Sequence, residues 1–571
     1  MTVQQAVPRR DTTWNVNRRT FLVGAGALLA AGLVGAGSSA AQPRTPQRPN
    51  ILIIMTDQER QPMHWPADWA RNNLPNRQRL ADTGLTFTRS FCNAAMCSPS
   101  RSTFFTGLYP AQHGVVSTLT EGGTLSPTEP VLPVDGQNMA KMLLSAGYDV
   151  HYRGKWHMSK GADGGDPSPD DIARYGFAGW EPPEAGQDTA PENFGGGCAD
   201  RDGKIASDAA EFLRSRSASD DRPFALIVSF ANPHDILSYP KTWDQVDGDC
   251  NNYGAFAPEA FEQGIDLPPT IDEDLLRNFK PTAQAELLLL LAGALGPLVG
   301  PEAARQYVNL YAYMHKVVDQ HIGTVLDALE SVSGIRERTV VFRVADHGEM
   351  GLSHGGLRQK AFNAYEETLN VPLVVSNPVM FPRPVSTDAL ASLIDVMPTL
   401  ATMAAVPDRS AWTFKGVDLT PVIEGASSGG TPPQVQDTVL FTFDDENAAA
   451  ANGQTTVKQP NHIRAVRQDR WKYAMYFDPS GRALPQFELY DLHDDPLETR
   501  NRANPLDLAN FDPVQVATMH AVLMDVMART GTTPAVTIPQ FPVPSGSADL
   551  PIPSGVGRTL TKPITGNRDH R

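Results

Sequence analysis

Cysteine, long apolar stretches and positive charge are all scarce in this chain of 571 residues. The four cysteines, Cys92, Cys97, Cys198 and Cys250, are too few for a fold held together by disulfides. Cys198 and Cys250 could pair after export, or they could be two unrelated thiols. The formal net charge of −16 argues against nucleic acid as a partner, because that partner requires a basic face. An acidic chain can still hold a locally positive site for an anionic substrate.

The apolar runs are too short for a membrane span. Near the N-terminus, Arg18-Arg19 precedes an Ala/Gly/Leu-rich run from Val23 to Gly37, and Ser39-Ala40-Ala41 follows. A basic region, a short apolar stretch and small residues are typical of a signal peptide, and the paired arginines indicate the twin-arginine route. We therefore expect residues 1–41 to direct the protein to the twin-arginine translocase for periplasmic or extracellular export. An uncleaved anchor is the alternative.

Five short apolar runs have the length of buried strands: residues 51–55, 148–152, 224–228, 340–342 and 371–375. Apolarity that is continuous rather than alternating is typical of strands buried on both faces, as in a sheet covered by helices. Apolar residues at helical spacing predict a helix over about residues 301–331. The pattern favours the α/β class, with one large mixed sheet covered by helices.

The chain divides into segments of different character. We expect, in order, a linker at 42–49, an α/β domain at 50–435, an α+β subdomain at 436–530 and a Pro-rich tail at 531–571. Runs at 463–476 and 486–492 predict a small antiparallel sheet in the subdomain. The segment 239–300, with an apolar run at 287–295 expected to form a buried or interfacial helix, is predicted to be an insertion that shapes the mouth of the site.

Polar, ionisable residues follow closely behind four of the predicted strands. They are Asp57-Gln58, Lys155-Trp156-His157, Asn232-Pro233-His234-Asp235 and Asp346-His347. In open α/β sheets, ligands bind at the carboxyl ends of the strands. These segments are therefore predicted to converge on one site.

Asp57, Gln58, Asp346 and His347 form a candidate set of ligands for one divalent metal ion. Carboxylate and amide oxygens suit Ca²⁺, Mg²⁺ or Mn²⁺. The imidazole of His347 slightly favours Mn²⁺ or another transition metal as the bound ion. A single Asp after a strand is more often a helix cap or turn residue, so the prediction depends on the paired arrangement.

The segment Cys97-Ser98-Pro99-Ser100-Arg101, with Thr106-Gly107 downstream, is the most informative motif. Proline is tolerated in the first turn of a helix, so Ser98-Pro99 predicts a helix start. Cys97 would then lie beside a helix N-terminus, where anionic groups are favoured. An ordinary cysteine at a helix start is the alternative interpretation.

This segment resembles the signature of the sulfatase family, Cys-x-Pro-Ser-Arg followed by Thr-Gly. Further similar segments follow in order: Asn50 to Asp57, Gly154-Lys155-Trp156-His157, Asn232-Pro233-His234, Ala345 to Met350, Lys360, Tyr365-Glu366-Glu367, and Glu488 to Leu492 with Asp495-Pro496. The resemblance covers about residues 49–504. It implies an alkaline-phosphatase-like fold and the conversion of Cys97 to formylglycine by a formylglycine-generating enzyme.

The resemblance also implies one divalent ion, with Ca²⁺ favoured and Mn²⁺ or Mg²⁺ as alternatives, and position 97 as a further ligand. Hydrated formylglycine at this position would attack sulfur, and Asp346 would accept its proton.

Five other side chains receive roles from the resemblance. Lys155, Lys360 and Arg101 would stabilise the charge that develops on the sulfuryl oxygens or the diol. His234 would protonate the leaving oxygen, and His157 would assist the release of sulfate.

Gln58 and His347 depart from the pattern of many sulfatases, which have Asp and Asn at these positions. The Gln/His variant is similar to choline sulfatases and to phosphonate monoester hydrolases of the same superfamily. We expect hydrolysis of a small-molecule or saccharide sulfate ester, with phosphonate monoester or phosphodiester hydrolysis as the second hypothesis. A non-catalytic binder of sulfated polymers is disfavoured, since every catalytic group is present.

Overall fold

The computed structural model describes residues 48–119, 129–446, 448 and 457–538. The predicted signal peptide, most of the linker and the tail beyond residue 538 lie outside the described residues. The strands are, in chain order, β1 (Asn50–Asp57), β2 (Gly84–Phe87), β3 (Ser90–Phe91), β4 (Asp149–Gly154), β5 (Phe224–Pro233), β6 (Val246–Asp247), β7 (Cys250–Asn251), β8 (Thr339–Ala345), β9 (Leu373–Ser376), β10 (Val385–Thr387), β11 (Ala391–Ser392), β12 (Val439–Phe443), β13 (His462–Arg467), β14 (Trp471–Phe477) and β15 (Gln486–Asp491).

The helices of the described residues are, in chain order, α1 (Trp69–Asn73), α2 (Pro75–Asp82), α3 (Cys97–Thr106), α4 (Pro110–His113), α5 (Met139–Ser145), α6 (Pro169–Ala173), α7 (Arg201–Arg214), α8 (Thr282–Ala294), α9 (Gly300–Ser331), α10 (Ile335–Arg338), α11 (Ser353–Gly356), α12 (Glu366–Leu369), α13 (Val396–Met403), α14 (Thr420–Ser427) and α15 (Pro513–Thr530). Short 3₁₀ helices lie at Pro191–Asn193, His234–Ser238, Tyr253–Phe256, Glu259–Phe261, Leu393–Asp395 and Arg409–Ala411.

The large sheet has seven strands in the order β10-β2-β9-β8-β1-β5-β4. β8, β1, β5 and β4 run parallel to one another. β9 runs antiparallel to both of its neighbours, β2 and β8. The mixed α/β sheet expected from the sequence is confirmed, and the carboxyl ends of the four parallel strands share one edge.

Helices cover both faces of this sheet. On one face, Val318 and Ile322 of α9 pack in one core with Leu52 and Leu226 of the sheet. The other face belongs to a larger core that includes residues of α3, α5 and α13. Every residue of β1, β5 and β8 is buried, as continuous apolar runs predict for strands covered on both sides.

The smaller sheet, β12-β13-β14-β15, is antiparallel throughout, as predicted. Its α15 supplies Leu523 and Met527 to a core shared with Tyr473 of β14. The sheet is joined to the large domain at Asn93, whose carbonyl accepts a hydrogen bond from the Thr442 amide at 2.9 Å. Because Asn93 lies just before α3, this junction also supports the chain that leads to Cys97.

The segment 239–300 contains α8, the buried or interfacial helix expected from its leucines. Leu287 and Leu291 are buried, whereas Leu289 is 78% exposed. Cys198 and Cys250 form a disulfide with Cα atoms 5.8 Å apart, which selects the first of the two alternatives for these thiols. Of the helices in the described residues, none is long and apolar enough to cross a membrane.

Candidate active site

Cys97 is the first residue of α3, and all ten residues of this helix are buried. Met96 precedes it with a positive φ of 68°, which turns the chain into the helix. Gly107 ends the helix in the left-handed conformation at φ 66°, where glycine carries no steric penalty. The Thr-Gly pair of the motif therefore marks the end of the helix that positions Cys97.

Four buried side chains come together around position 97. Ligand atoms of Asp57, Cys97, Asp346 and His347 all lie within 4.8 Å of one another. The Cys97 Sγ lies 3.5 Å from Asp57 Oδ1 and 3.3 Å from His347 Nε2. Two carboxylates and an imidazole form a donor set that fits a divalent cation.

Arg101 and Lys155 neutralise the two carboxylates of this group. Arg101 donates from Nε to Asp346 Oδ2 at 3.0 Å and from a terminal nitrogen to Asp57 Oδ2 at 2.8 Å. Lys155 Nζ lies 2.7 Å from Asp57 Oδ2 and 3.7 Å from Cys97 Sγ. On this side of Cys97, two cations therefore balance the charge of two carboxylates, in a protein that is acidic as a whole.

Gln58 and Lys360 form a second contact pair at the same edge. The Gln58 amide oxygen accepts a hydrogen bond from Lys360 Nζ at 2.6 Å, and its amide nitrogen donates to Glu349 at 2.6 Å. The Gln58 backbone amide donates to Asp346 Oδ1 at 3.0 Å. The side chain is thus held at the site, and its place among the metal ligands stays a prediction.

The two predicted catalytic histidines, His157 and His234, line the cavity that Cys97 faces. His157 Nε2 contacts the Leu119 carbonyl oxygen at 2.9 Å. The Nδ1 atoms of His157 and His234 are buried and have no hydrogen-bond partner in the described part of the chain. Cys97, His157, His234 and Lys360 together line a cavity of about 180 Å³.

Burial and neighbouring charges shift the pKa values of the Asp57 and Asp346 carboxyls in opposite directions. Burial alone would raise the pKa of Asp57, but Lys155, His234 and Arg101 outweigh it and hold that pKa well below its usual range. For Asp346, burial and the negative charge of Asp57 raise the pKa to about 6. One carboxyl is held ionised, and the other titrates nearer neutrality.

The pKa values of Cys97 and His234 are also shifted. Burial and Asp57 would raise the pKa of the Cys97 thiol, but Lys155, Lys360 and His347 hold it well below its usual value. Burial and the positive charge of Lys155 lower the pKa of His234 to about 4. At pH 7 the site thus favours a negative charge at position 97 and a neutral imidazole at His234.

Sequence reasoning missed residues that hold in place the turns carrying the proposed catalytic side chains. Glu184 accepts hydrogen bonds from the backbone amides of Trp156 and His157. No sequence signal marks it, because it lies in a loop distant along the chain. Glu349, by contrast, lies inside a motif and accepts from Gln58 and from the Tyr307 hydroxyl at 2.7 Å.

The turn that carries His234 has its own support. Asp202 accepts from the Asn232 amide at 2.9 Å, and Asp235 accepts from the Asn232 side chain at 3.1 Å and from the Tyr253 hydroxyl at 2.6 Å. These buried carboxylates fix the backbone just before His234. Asn232 therefore acts through the turn rather than through contact with Cys97.

The fold and sequence are similar to those of known proteins. The choline-sulfatase of Rhizobium meliloti is 29% identical over 513 residues, which cover 84% of this chain and 86% of that protein. The delta 4,5-hexuronate-2-O-sulfatase of Bacteroides thetaiotaomicron is 26% identical, over 85% and 90% respectively. The solved phosphonate monoester hydrolase of Agrobacterium radiobacter has the same fold, with a TM-score of 0.60 at 23% identity over 85% of this chain and 96% of that one.

Residues 49–406 match the sulfatase family model, and residues 354–526 match the model described as N-sulphoglucosamine sulphohydrolase, C-terminal. The chain belongs to the sulfatase family. It is accordingly a hydrolase that acts on sulfuric ester bonds, and membership of this family implies a metal ion and a formylglycine residue.

Proposed function

We propose that this protein hydrolyses the sulfate ester of an alcohol to the alcohol and sulfate, with formylglycine made from Cys97 as the nucleophile. The observation that carries the proposal is the position of the Cys97 side chain. It lies at the start of a buried helix, 3.3 Å from His347 Nε2 and 3.7 Å from Lys155 Nζ, and it faces the cavity.

Asp57, Asp346 and His347 would hold the ion, and its charge would polarise the sulfuryl oxygens and favour ionisation of the nucleophile. Ca²⁺ is our first assignment, by resemblance to the family. Gln58 would complete the ligand set if its amide oxygen gave up the hydrogen bond from Lys360 and bound the ion instead.

The reaction would consist of a displacement at sulfur followed by an elimination of sulfate. One hydroxyl of the hydrated aldehyde at position 97 gives its proton to Asp346 and attacks sulfur, while the bond from sulfur to the alcohol oxygen breaks. His234 supplies a proton to that leaving oxygen. His157 then takes the proton of the second hydroxyl, the bond from carbon to the sulfated oxygen breaks, and sulfate leaves with the aldehyde restored. Addition of water regenerates the diol.

Three cations would stabilise the charge that forms during these steps. Lys155 contacts Cys97 directly, and Lys360 lines the cavity beside it. Arg101 lies behind the nucleophile, where it holds Asp57 and Asp346. The negative charge of a bound sulfate ester would favour the protonated form of His234, whose pKa is low in the free site.

Peptide mass spectrometry of the segment around Cys97, together with turnover of 4-nitrophenyl sulfate, tests the proposal. We expect an aldehyde in place of the thiol, and no turnover by Cys97→Ala. Cys97→Ser should fail in multiple turnover, because a serine sulfate ester has no second hydroxyl to expel sulfate. Fully active protein with an unmodified thiol at this position would overturn the proposal.

Hydrolysis of phosphonate monoesters or phosphodiesters is a second candidate, favoured by the Gln58 and His347 variant of the metal group. It would use nearly the same residues. Values of kcat/KM on 4-nitrophenyl sulfate, a 4-nitrophenyl phosphonate and bis-4-nitrophenyl phosphate, measured side by side, distinguish the two. A higher value for either phosphorus ester would replace the sulfate assignment.

We also propose export by the twin-arginine route. The proposal depends on Arg18-Arg19 and the apolar run that follows, which lie outside the described residues. This route carries folded proteins, so oxidation of Cys97 can precede transport. Replacing both arginines with lysine should leave modified, active enzyme in the cytoplasm, whereas unchanged export of that variant would contradict the proposal.

A further inference from the structure

A large part of the wall of the cavity above Cys97 is aliphatic. Leu287, Leu291 and Leu295 come from α8 and its C-terminal end, and Leu237, Met96 and Ala361 come from three other segments. Apolar side chains in a concave site favour ligand surface that is itself apolar, because both surfaces leave water on binding.

The helix that supplies the leucines is one-sided. Leu287, Leu291 and Leu295 follow one another at intervals of four residues and share a face, while Leu289 points away and is 78% exposed. These three leucines belong to the buried core of the large domain, and they also line the cavity beside the proposed catalytic groups.

Both ends of α8 are held by side chains. At its start, Gln284 accepts from the Tyr365 hydroxyl at 2.8 Å and donates to the Tyr476 hydroxyl at 3.0 Å. At its end, Arg358 donates to the carbonyl oxygens of Leu291 at 3.0 Å and Gly296 at 2.8 Å. Arg358 lies two residues before Lys360, so the apolar wall has a fixed position relative to the catalytic groups.

The other apolar side chains are neighbours of residues with proposed catalytic roles. Met96 immediately precedes Cys97, and Ala361 immediately follows Lys360. Leu237 follows His234 by three residues in the same 3₁₀ helix, and residues at this spacing eclipse one another. A group attached to the oxygen that His234 protonates would therefore extend along Leu237 toward α8.

The described lining combines these aliphatic side chains with four uncharged polar ones, Ser117, Thr118, Gln187 and Gln359. It contains no aromatic ring other than histidine and no arginine. Its one carboxylate besides the metal group, Asp445, already accepts a hydrogen bond from the Thr118 amide at 2.8 Å. Sugar hydroxyls against the leucines would lose water without new partners there, so a saccharide would depend on the four polar side chains. A cationic alcohol would find no aromatic face other than histidine among the described lining residues.

We propose that the natural substrate is the sulfate ester of an apolar aliphatic alcohol, with its hydrocarbon chain against the Leu287–Leu291–Leu295 face of α8. This inference rests on the proposed sulfatase activity and specifies its leaving group. It predicts that affinity for the transition state grows with the length of the chain, because each methylene that enters the cavity leaves water.

A series of n-alkyl sulfates from methyl to octyl, each below its micelle-forming concentration, tests the inference. We expect kcat/KM to rise about fourfold per methylene until the chain reaches the mouth of the cavity. Choline sulfate and glucosamine 6-sulfate should be poorer than octyl sulfate. A flat series, or preference for the cationic or the sugar ester, would overturn the inference.

Variants on α8 supply the matched control. Leu291→Ala should lower the octyl-to-methyl ratio of kcat/KM by about tenfold, as expected for lost contacts in an apolar pocket. Leu289→Ala, on the exposed side of the same helix, should leave the ratio unchanged. Thermal unfolding checks that both variants fold, and Leu291→Met provides a volume-conserving alternative if Leu291→Ala does not. Equal effects at positions 289 and 291 would contradict the inference.

Binding separates this inference from the proposed reaction. Calorimetric titration of Cys97→Ala protein with the same sulfates should show affinity that increases with chain length, whether or not the native protein turns them over. Turnover of 4-nitrophenyl sulfate without any chain-length dependence would overturn the substrate class alone. Chain-length-dependent binding without turnover of any sulfate by native protein would overturn the reaction alone.

Discussion

The Nε of Arg101 donates a hydrogen bond to Asp346 Oδ2 across 3.0 Å, and neither side chain has any exposed surface. The same guanidinium reaches Asp57, so one side chain holds carboxylates from the ends of β1 and β8 in a single arrangement. Arg101 lies four residues after Cys97, about one turn along the same helix. Helix α3 therefore carries both the proposed nucleophile and the residue that orders the carboxylates beside it.

Substitution of Arg101 should be costly in both stability and activity. Arg101→Ala leaves two buried carboxylates without this partner, and we expect it to lower the free energy of unfolding by about 3–5 kcal/mol. Urea titration measures this loss. Arg529→Ala removes an arginine whose partner, Asp525, is 66% exposed, and should cost less than about 1 kcal/mol. Similar losses in the two variants would show that the buried pairs do not stabilise the fold.

Removal of the metal should abolish activity and lower the melting temperature. An ion present at 100 times its dissociation constant stabilises the folded state by about 2.7 kcal/mol. Scanning calorimetry before and after chelation, followed by titration with Ca²⁺, Mg²⁺ and Mn²⁺, measures the effect and identifies the preferred ion. Asp57→Asn should reduce the calcium response, while Asp327→Asn, at an exposed position, should retain it. Full activity after rigorous metal removal would contradict the prediction.

Glu59 should make stability depend on pH in the acid range. Burial would raise its pKa, but Arg343 and Arg77 outweigh that effect and lower the pKa to about 2. Because the folded pKa lies below the unfolded value of about 4.3, the stabilisation is complete above that value and is lost as the pH falls toward 2. Glu59→Gln should cost about 3 kcal/mol at pH 7.

Chemical denaturation at pH 7, 5 and 3, with chelator present throughout, tests this prediction. The difference in unfolding free energy between native protein and Glu59→Gln should stay constant from pH 7 to 5 and shrink at pH 3. Asp525→Asn provides a control at an exposed ion pair. A difference that grows as the pH falls would have the wrong sign.

Loss of the Cys198–Cys250 bond should destabilise the segment around Tyr253 beside the proposed active site. The cysteines are 52 residues apart in sequence, and closing a loop of that length stabilises a protein by about 2–4 kcal/mol. The bond ties the chain just before Tyr253, whose hydroxyl donates to Asp235 next to His234. Reductant should therefore lower the melting temperature and modestly lower kcat/KM.

The double variant Cys198→Ser/Cys250→Ser controls for other effects of the reductant. Without reductant, this variant should have a lower melting temperature than native protein. Addition of reductant should not change its melting temperature further. A peptide map under non-reducing conditions should contain the linked pair in native protein. Two free thiols at these positions in exported protein would contradict the structure.

The positions of the proposed catalytic residues follow a local rule, which is why the sequence is informative about them. Asp57, Lys155, His234 and Asp346 lie at or just beyond the carboxyl ends of β1, β4, β5 and β8. Parallel strands end at one edge of their sheet, and β8, β1, β5 and β4 are consecutive neighbours in it, so residues at those ends lie close together. Ser98-Pro99 likewise marks the start of α3 through local backbone preferences.

The sequence by itself thus determined the α/β class, the small antiparallel sheet, the long helix α9 and the group of residues around Cys97. Only the tertiary structure decided the strand order, the disulfide partner, the support of Lys155–His157 by Glu184 and the apolar wall supplied by α8. The physical reason is distance along the chain. The contact between Gln58 and Glu349 joins residues 291 positions apart, and its formation depends on the packing of the whole sheet rather than on any local pattern.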